Sequence, residues 1–458
     1  MEDMKNGKRS SFSGKLGYVL AAAGASVGLG NIWRFPYLAA KYGGGIFLII
    51  YIVLALTFGY TMIVAETAIG RMTRKSPVGA FKSFGKKKWL SFGGWINAVI
   101  PVLIVPYYSV IGGWVIKYLV EYFRGNAKLL AEDGYFTDFI SNGVSTELCF
   151  VAFCAFTLII IFAGVQNGIE RVSKIMMPIL IVLSVIIAVY SVTRPGAFAG
   201  VKYFLVPNVK NFSWMTVVSA MGQMFYSLSI AMGILITFGS YMKKDTAIED
   251  STRNVEIFDT GIAIMAGLMI IPAVFAFSGG DPDTLQAGPS LMFITIPKVF
   301  QNMGFGTVIG IVFFLLVLFA AVTSSIALTE SAVSTFEDEL GWGRKKATVL
   351  VGVIMLALGS LSSLGYGPLA GIKIIGMQFL DLFDFLTNSV MMPIAALLTS
   401  LFVSRVVGID KIEAEIIHGE SAFRRKKVFV VMIKYLCPVF AIIILLSSVA
   451  NALGWIKM

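Results

Sequence analysis

The sequence predicts an all-α integral membrane protein of about eleven transmembrane helices, arranged as an inverted repeat of spans one to five and six to ten, with spans one and six broken. Three observations carry that expectation. Of the 458 residues, 57% are hydrophobic and only 14% charged, with a mean hydropathy of +0.83, more than a water-soluble core needs. Eleven apolar runs each suffice for a crossing, which takes about 20 residues. Two of those runs, five spans apart, carry small and polar residues at mid-membrane depth.

The runs lie near 16–39, 44–70, 89–123, 147–164 and 170–192, then 213–241, 256–278, 302–338, 347–366, 374–405 and 427–453. The whole chain, 1–458, reads as one transmembrane domain: 16–192 as the first repeat, 213–405 as the second and 427–453 as an additional helix. The first run is too long and glycine-rich for a cleaved signal peptide, so the N-terminus is expected to be retained. Lys5, Lys8, Arg9 and Lys15 precede it, and the cations at Arg71 to Lys88, Arg171/Lys174, Lys243/Lys244/Arg253, Arg344 to Lys346 and Arg424 to Lys427 fall on the same side. The positive-inside rule makes that side cytoplasmic, giving a multi-pass protein of the cell (inner) membrane with a cytoplasmic N-terminus. The net charge of +11 therefore reflects orientation and contact with the anionic lipid bilayer rather than a nucleic acid partner.

Between spans, "SGGDPDTLQAGPSLMFITIPKVF" (278–300) is expected to form a structured outer loop able to fold over an opening. The stretch from Gly125 to Thr146 reads as an ordinary polar connection. Cys149, Cys154 and Cys437 lack the close spacing of metal or redox sites and read as packing residues.

The first broken run contains "GASVGLGNIWRFPY" (24–37) and the second reads "SAMGQMFYSLSIAMGILITFGSYM" (219–242). Each break frees backbone groups that hydrocarbon cannot satisfy, so the breaks must face each other around a polar ligand. Half-helix ends add partial charge of both signs, a field suited to a zwitterionic amino acid with a small cation. "GASVG" also fits a G-x-x-x-G packing motif, which leaves Asn31 unexplained.

These residues carry a resemblance. "AGASVGLGNIWRFPY" followed by "GGG", "YYSVIGGW", "GQMFYSLSIAMG", "FAAVTSSIAL" with "FEDEL", and "FLDLFDF" resemble, in order, the signatures of the neurotransmitter:sodium symporter family, whose members have the LeuT fold. The usual twelfth span is missing, which resembles an eleven-span bacterial branch. The resemblance implies sodium-coupled symport of neutral hydrophobic L-amino acids, of the leucine, valine, methionine and aromatic class. Two sodium ions and no organic cofactor are implied.

The family pattern implies one sodium site from the carbonyls of Gly24, Val27 and Ala320 with the hydroxyls of Thr323 and Ser324. Read alone, "TSS" would be hydroxyls bonding their own helix. The second site is implied at Ser26, Asn31, Ser227 and a polar residue of span seven, Asp259 or, nearer the membrane edge, Asn254; Asp259 is favoured. A carboxylate there would supply the charge that chloride gives animal relatives, whose halide site resembles Tyr51, Gln223 and Ser227, so transport is expected without chloride. The substrate carboxylate is expected at Leu29, Gly30 and Tyr108, and its ammonium at Ala25, Tyr226, Ser227 and Ser229. Around the side chain are placed Ile104, Tyr226, Met232, Ser324 and Leu328, an apolar lining that would leave a buried charge unpaired. Ala231 stands where many relatives have glycine, and its methyl is expected to intrude on this pocket.

Arg34 and Asp384, a few turns into span ten, are expected to pair as an outer gate beneath which Tyr226 forms a lid, because intramembrane charges are costly alone. The resemblance implies that Arg9 and Asp338 pair as the inner gate, with a simple helix-end charge as the alternative for Asp338. Glu66 is expected to bond the unwound backbone of the two breaks. An enzyme is not expected, the single histidine, His418, lying in a loop. A proton-coupled transporter or a non-transporting amino-acid sensor on the same fold stays open, as does oligomeric state.

Overall fold

The computed structural model describes residues 10–85, 87–279, 288–452 and 455. Among them, nine helices are long and apolar enough to cross a bilayer. These are spans two to five (Gly45–Thr73, Lys88–Phe123, Gly143–Phe162, Val165–Val192) and seven to eleven (Ile248–Ser278, Gly306–Leu340, Arg344–Leu364, Phe379–Val407, Lys426–Ala452). Span one is a pair, Lys15–Ser26 and Gly30–Lys41, bent by 53°. Span six is likewise two helices, Trp214–Ser227 and Ile234–Tyr241. The nine helices and the bent pair supply ten of the eleven expected crossings, and the two short helices of span six stand at the place of the eleventh, so both breaks fall where expected.

Small residues set how closely the helices approach. At Gly239 an added Cβ would stand 2.5 Å from the Thr67 carbonyl oxygen, and at Gly70 it would strike the Ile236 carbonyl, so the second half of span six lies directly on the backbone of span two. Gly113 does the same for span three, its Cβ position lying 2.6 Å from the backbone nitrogen of Phe150 in span four. Spans four and five leave Val144, Leu148, Ile159, Ile175 and Val182 exposed, the faces that hydrocarbon covers.

One connection differs from expectation, and two others hold helices of their own. The polar stretch after span three holds two short helices, Ala127–Leu130 and Tyr135–Ser141, with Phe136 and Phe139 buried. Phe136 of the second docks on Trp114 of span three at a centroid distance of 5.3 Å, a contact that charge counting along the segment hides. Helix Ala197–Leu205 precedes span six, with Gly200 against Pro272 of span seven. A third, Ile409–Ile417, fills the connection from span ten to eleven. The outer loop after span seven, described from Gly288, runs into the helical stretch Leu291–Gln301, where Phe293 stacks on Phe136 at 5.1 Å and 10°; 280–287 lie outside the described residues.

Candidate functional site

The break in span one follows from its own residues. Helix Lys15–Ser26 stops where Val27 takes φ −77° and ψ 90°. Gly28 donates its N–H to the Asn31 side-chain oxygen at 3.3 Å, and Asn31 donates its own N–H to the Gly28 carbonyl at 3.2 Å. The asparagine thus satisfies part of the backbone that unwinding exposes. In span six, Ser229, Ala231 and Gly233 all have positive φ (52°, 59° and 69°), a repetition that no right-handed helix can contain. The freed Ala231 N–H is taken by Glu66 Oε1 at 2.8 Å. Glu66 is fully buried, and its bond serves the span-six break only.

A cavity of about 30 Å³ lies between the breaks. Ala25, Leu29, Gly30, Ile104, Tyr108, Tyr226, Ser229, Met232, Ser324 and Leu328, all expected around a substrate, line it together with Ser26, Gly28 and Asn31. Tyr108 accepts the Leu29 N–H at 3.2 Å, and Ser229 donates to the Ala25 carbonyl at 3.0 Å. Gly28 was not foreseen: a Cβ there would lie 2.7 Å from Ser324 Oγ and 3.1 Å from the Tyr108 hydroxyl, so only glycine leaves the space open. Ser227 does not line the cavity, because its hydroxyl turns to Asp259. Ala231 does not line it either; its methyl does not face the space as expected, since the left-handed backbone turns its N–H to Glu66.

Two clusters of oxygen flank the cavity. Ser324 Oγ lies 3.2 Å from the Gly24 and Ala25 carbonyls and 3.4 Å from that of Val27, reaching across from span eight to span one. Thr323 Oγ1 bonds its own helix, at 3.0 Å to the Phe319 and 3.2 Å to the Ala320 carbonyl. This set is neutral, carbonyl and hydroxyl, which fits a monovalent cation better than the carboxylate cages of calcium. On the other side Asp259, fully buried, accepts from Asn31 Nδ2, Ser227 Oγ and the Tyr51 hydroxyl, each at 2.8 Å. Asn254 is half-buried and makes none of these bonds. Gln223 donates to the Gly30 carbonyl at 3.0 Å.

Above the cavity the Tyr226 ring occupies the space where a Cβ of Gly30 would stand. Beyond it opens a vestibule of about 530 Å³ whose lining includes Trp33, Arg34, Tyr107, Tyr366, Asp381 and Asp384. Arg34 and Asp384 share this vestibule but form no ion pair. The Arg34 guanidinium lies over the Tyr226 ring, 5.2 Å from its centroid, while Asp384 Oδ1 accepts from Asn388 at 2.6 Å and Tyr107 at 3.2 Å. Span ten begins at Phe379, so Asp384 sits in its second turn, nearer the end than expected. On the opposite side Asp338 Oδ2 accepts the Ser76 N–H at 2.6 Å. Its expected partner Arg9 lies outside the described residues.

A multi-pass membrane protein with two broken spans facing each other across a midplane cavity is built as a secondary transporter, not an enzyme. The sequence model of the Sodium:neurotransmitter symporter family matches residues 9–137 and 134–455, and the chain belongs to that family. It is 34% identical, over 97% of its length and 99% of the relative, to the uncharacterized sodium-dependent transporter YhdH of Bacillus subtilis. It is 27% identical, over 88% of this chain and 73% of the relative, to the sodium- and chloride-dependent GABA transporter 2 of Macaca fascicularis. Among solved structures, MhsT in complex with L-phenylalanine superimposes with a TM-score of 0.86 at 35% identity, covering 96% of this chain and all of that one. The fold is therefore the LeuT fold, and the protein is a sodium-dependent transporter of the membrane.

Proposed function

We propose that the protein carries neutral hydrophobic L-amino acids into the cell with two sodium ions, by alternating access and without chloride. The carrying observation is the cavity between the breaks, where backbone polar groups of Ala25, Leu29 and Gly30 meet the apolar side chains of Ile104, Met232 and Leu328. A zwitterion satisfies the first set and an uncharged apolar side chain the second. The phenylalanine in MhsT is a ligand of that chemistry.

In this reading Gly24, Val27, Ala320, Thr323 and Ser324 hold one sodium, and Ser26, Asn31, Ser227 and Asp259 hold the other beside the substrate carboxylate. The shared contact makes ion and substrate bind cooperatively. Asp259 supplies the fixed negative charge, which removes the need for a halide. Arg34 and Asp384 close above the Tyr226 lid, and Asp338 with Arg9 closes the cytoplasmic side of the inner membrane, where the N-terminus lies.

The test is equilibrium binding of radiolabelled leucine to purified protein in sodium or potassium at equal ionic strength, with unlabelled amino acids as competitors. Binding that needs sodium, competed by valine, methionine and phenylalanine but not by lysine or glutamate, is expected. Binding indifferent to sodium would overturn the coupling, and no binding would overturn the substrate class.

A further inference from the structure

The connection from span ten to span eleven is more than a tether. Its helix Ile409–Ile417 carries Glu415, which is 5% exposed and pairs with the fully buried Arg71 at the end of span two, Nε to Oε1 at 2.7 Å. The same guanidinium donates to the Thr246 carbonyl, between spans six and seven, at 2.5 Å, and to the Glu415 carbonyl. One planar fork thus joins three segments, a geometry that lysine could not supply.

A second junction follows along the chain. Glu249, at the start of span seven, accepts the backbone N–H groups of Arg424 (2.8 Å) and Arg425 (2.9 Å), and the hydroxyl of Tyr60 in span two (2.8 Å). Its own N–H goes to Glu420 Oε1 at 2.5 Å. The Arg425 side chain reaches Glu256 in span seven at 3.3 Å and lies over the Tyr60 ring at 4.7 Å. Among the described residues, every side-chain hydrogen bond or ion pair of 409–426 that leaves the segment goes to span two, span seven or the connection between spans six and seven. A linker that merely joined two lipid-packed helices would need no buried ion pair, whose desolvation must be repaid by complete hydrogen bonding.

We infer that segment 409–426 is a brace that fastens the ends of spans two, six and seven into one moving body, with Glu415 as its positioning residue. The inference rests on the alternating-access reading proposed above. The short second half of span six ends at Tyr241, and Arg74, the residue that caps span two, holds the next carbonyl, that of Met242, at 2.8 Å. Through Thr246 the brace extends that hold to span seven, so a movement of the broken half is passed to its neighbours rather than absorbed in the loop. Glu415 touches neither substrate nor ion; it acts through Arg71.

The full chain in proteoliposomes tests this with Glu415→Ala and Glu415→Gln. For Glu415→Ala, sodium-driven leucine uptake is expected to fall about tenfold in maximal rate, with sodium-dependent leucine binding kept within about twofold. Glu415→Gln, which retains an oxygen for Arg71, is expected to recover much of the rate. Unchanged uptake in Glu415→Ala, or binding and uptake lost by the same factor in both variants, would overturn the brace. Hydrogen exchange reads it without any substrate: in Glu415→Ala, amides of 242–250 and of 409–426 are expected to exchange faster together, and a rise confined to 409–426 would overturn it. Wild-type protein that binds leucine yet shows no sodium-driven uptake would count against the transport reading alone.

Discussion

Asn388 donates its side-chain amide to Asp384 at 2.6 Å, one turn away on span ten, while Arg34 lines the same vestibule over the Tyr226 ring and forms no ion pair with that carboxylate. The Oδ1 atom of the carboxylate is therefore held by its own helix and by Tyr107, and turning that oxygen to Arg34 would exchange those bonds for one to the guanidinium. Removing the amide favours the exchange. A charge-assisted hydrogen bond contributes about 1.5 kcal/mol, or roughly tenfold in the balance. Asn388→Leu is expected to slow release of bound leucine to the outer side by about that factor, measured by exchange against unlabelled leucine. Faster release would mean that the amide supports the closed gate.

Asp259 places a carboxylate against Asn31, Tyr51 and Ser227. Wild-type uptake is expected to be equal in chloride and gluconate media. Asp259→Asn keeps the shape and removes the charge, so its uptake should fall about tenfold in gluconate and return in part with chloride. A wild-type requirement for chloride would refute the assignment directly.

Ser324 is the hydroxyl that reaches the Gly24, Ala25 and Val27 carbonyls. Ser324→Ala removes a neutral ligand and leaves carbonyls that repel each other. The sodium concentration for half-maximal leucine binding is expected to rise about tenfold, with the leucine capacity at saturating sodium preserved. An unchanged sodium dependence would move that ion site elsewhere.

Ala231 holds φ at 59°, where a Cβ costs about 1 kcal/mol relative to glycine. Ala231→Gly is expected to raise the thermal midpoint by about 1–2 °C. Because the methyl does not line the cavity, the ratio of tryptophan to valine competition is expected to stay constant. An improved ratio for tryptophan would mean that the alanine limits the side-chain pocket after all.

The sequence made the crossings and the breaks legible because both depend on local composition: twenty apolar residues need a bilayer, and glycine with asparagine inside such a run needs a reason. The cavity lining was legible through family spacing, which carries over residue by residue where the match is continuous, as from Gly24 to Arg34. Gly28 escaped because its contribution is the absence of a side chain next to Ser324 and Tyr108. The state of the gate escaped too, since whether Asp384 bonds Arg34 or Asn388 depends on how far two spans stand apart. Arg71 and Glu415 lie so distant in sequence that no local pattern joins them, and the helix bearing Glu415 is too short to announce itself by hydropathy.

The stack of Phe293 on Phe136, with Trp114 beneath, ties the outer loops to span three, which also carries Ile104 and Tyr108 into the cavity. Those loops are thus a handle on the pocket from outside. An antibody fragment that grips the exposed Thr137, Asp138 and Ser141 of the helix Tyr135–Ser141 would hold span three without entering the vestibule, which makes this surface a target for inhibitors that never compete with the amino acid.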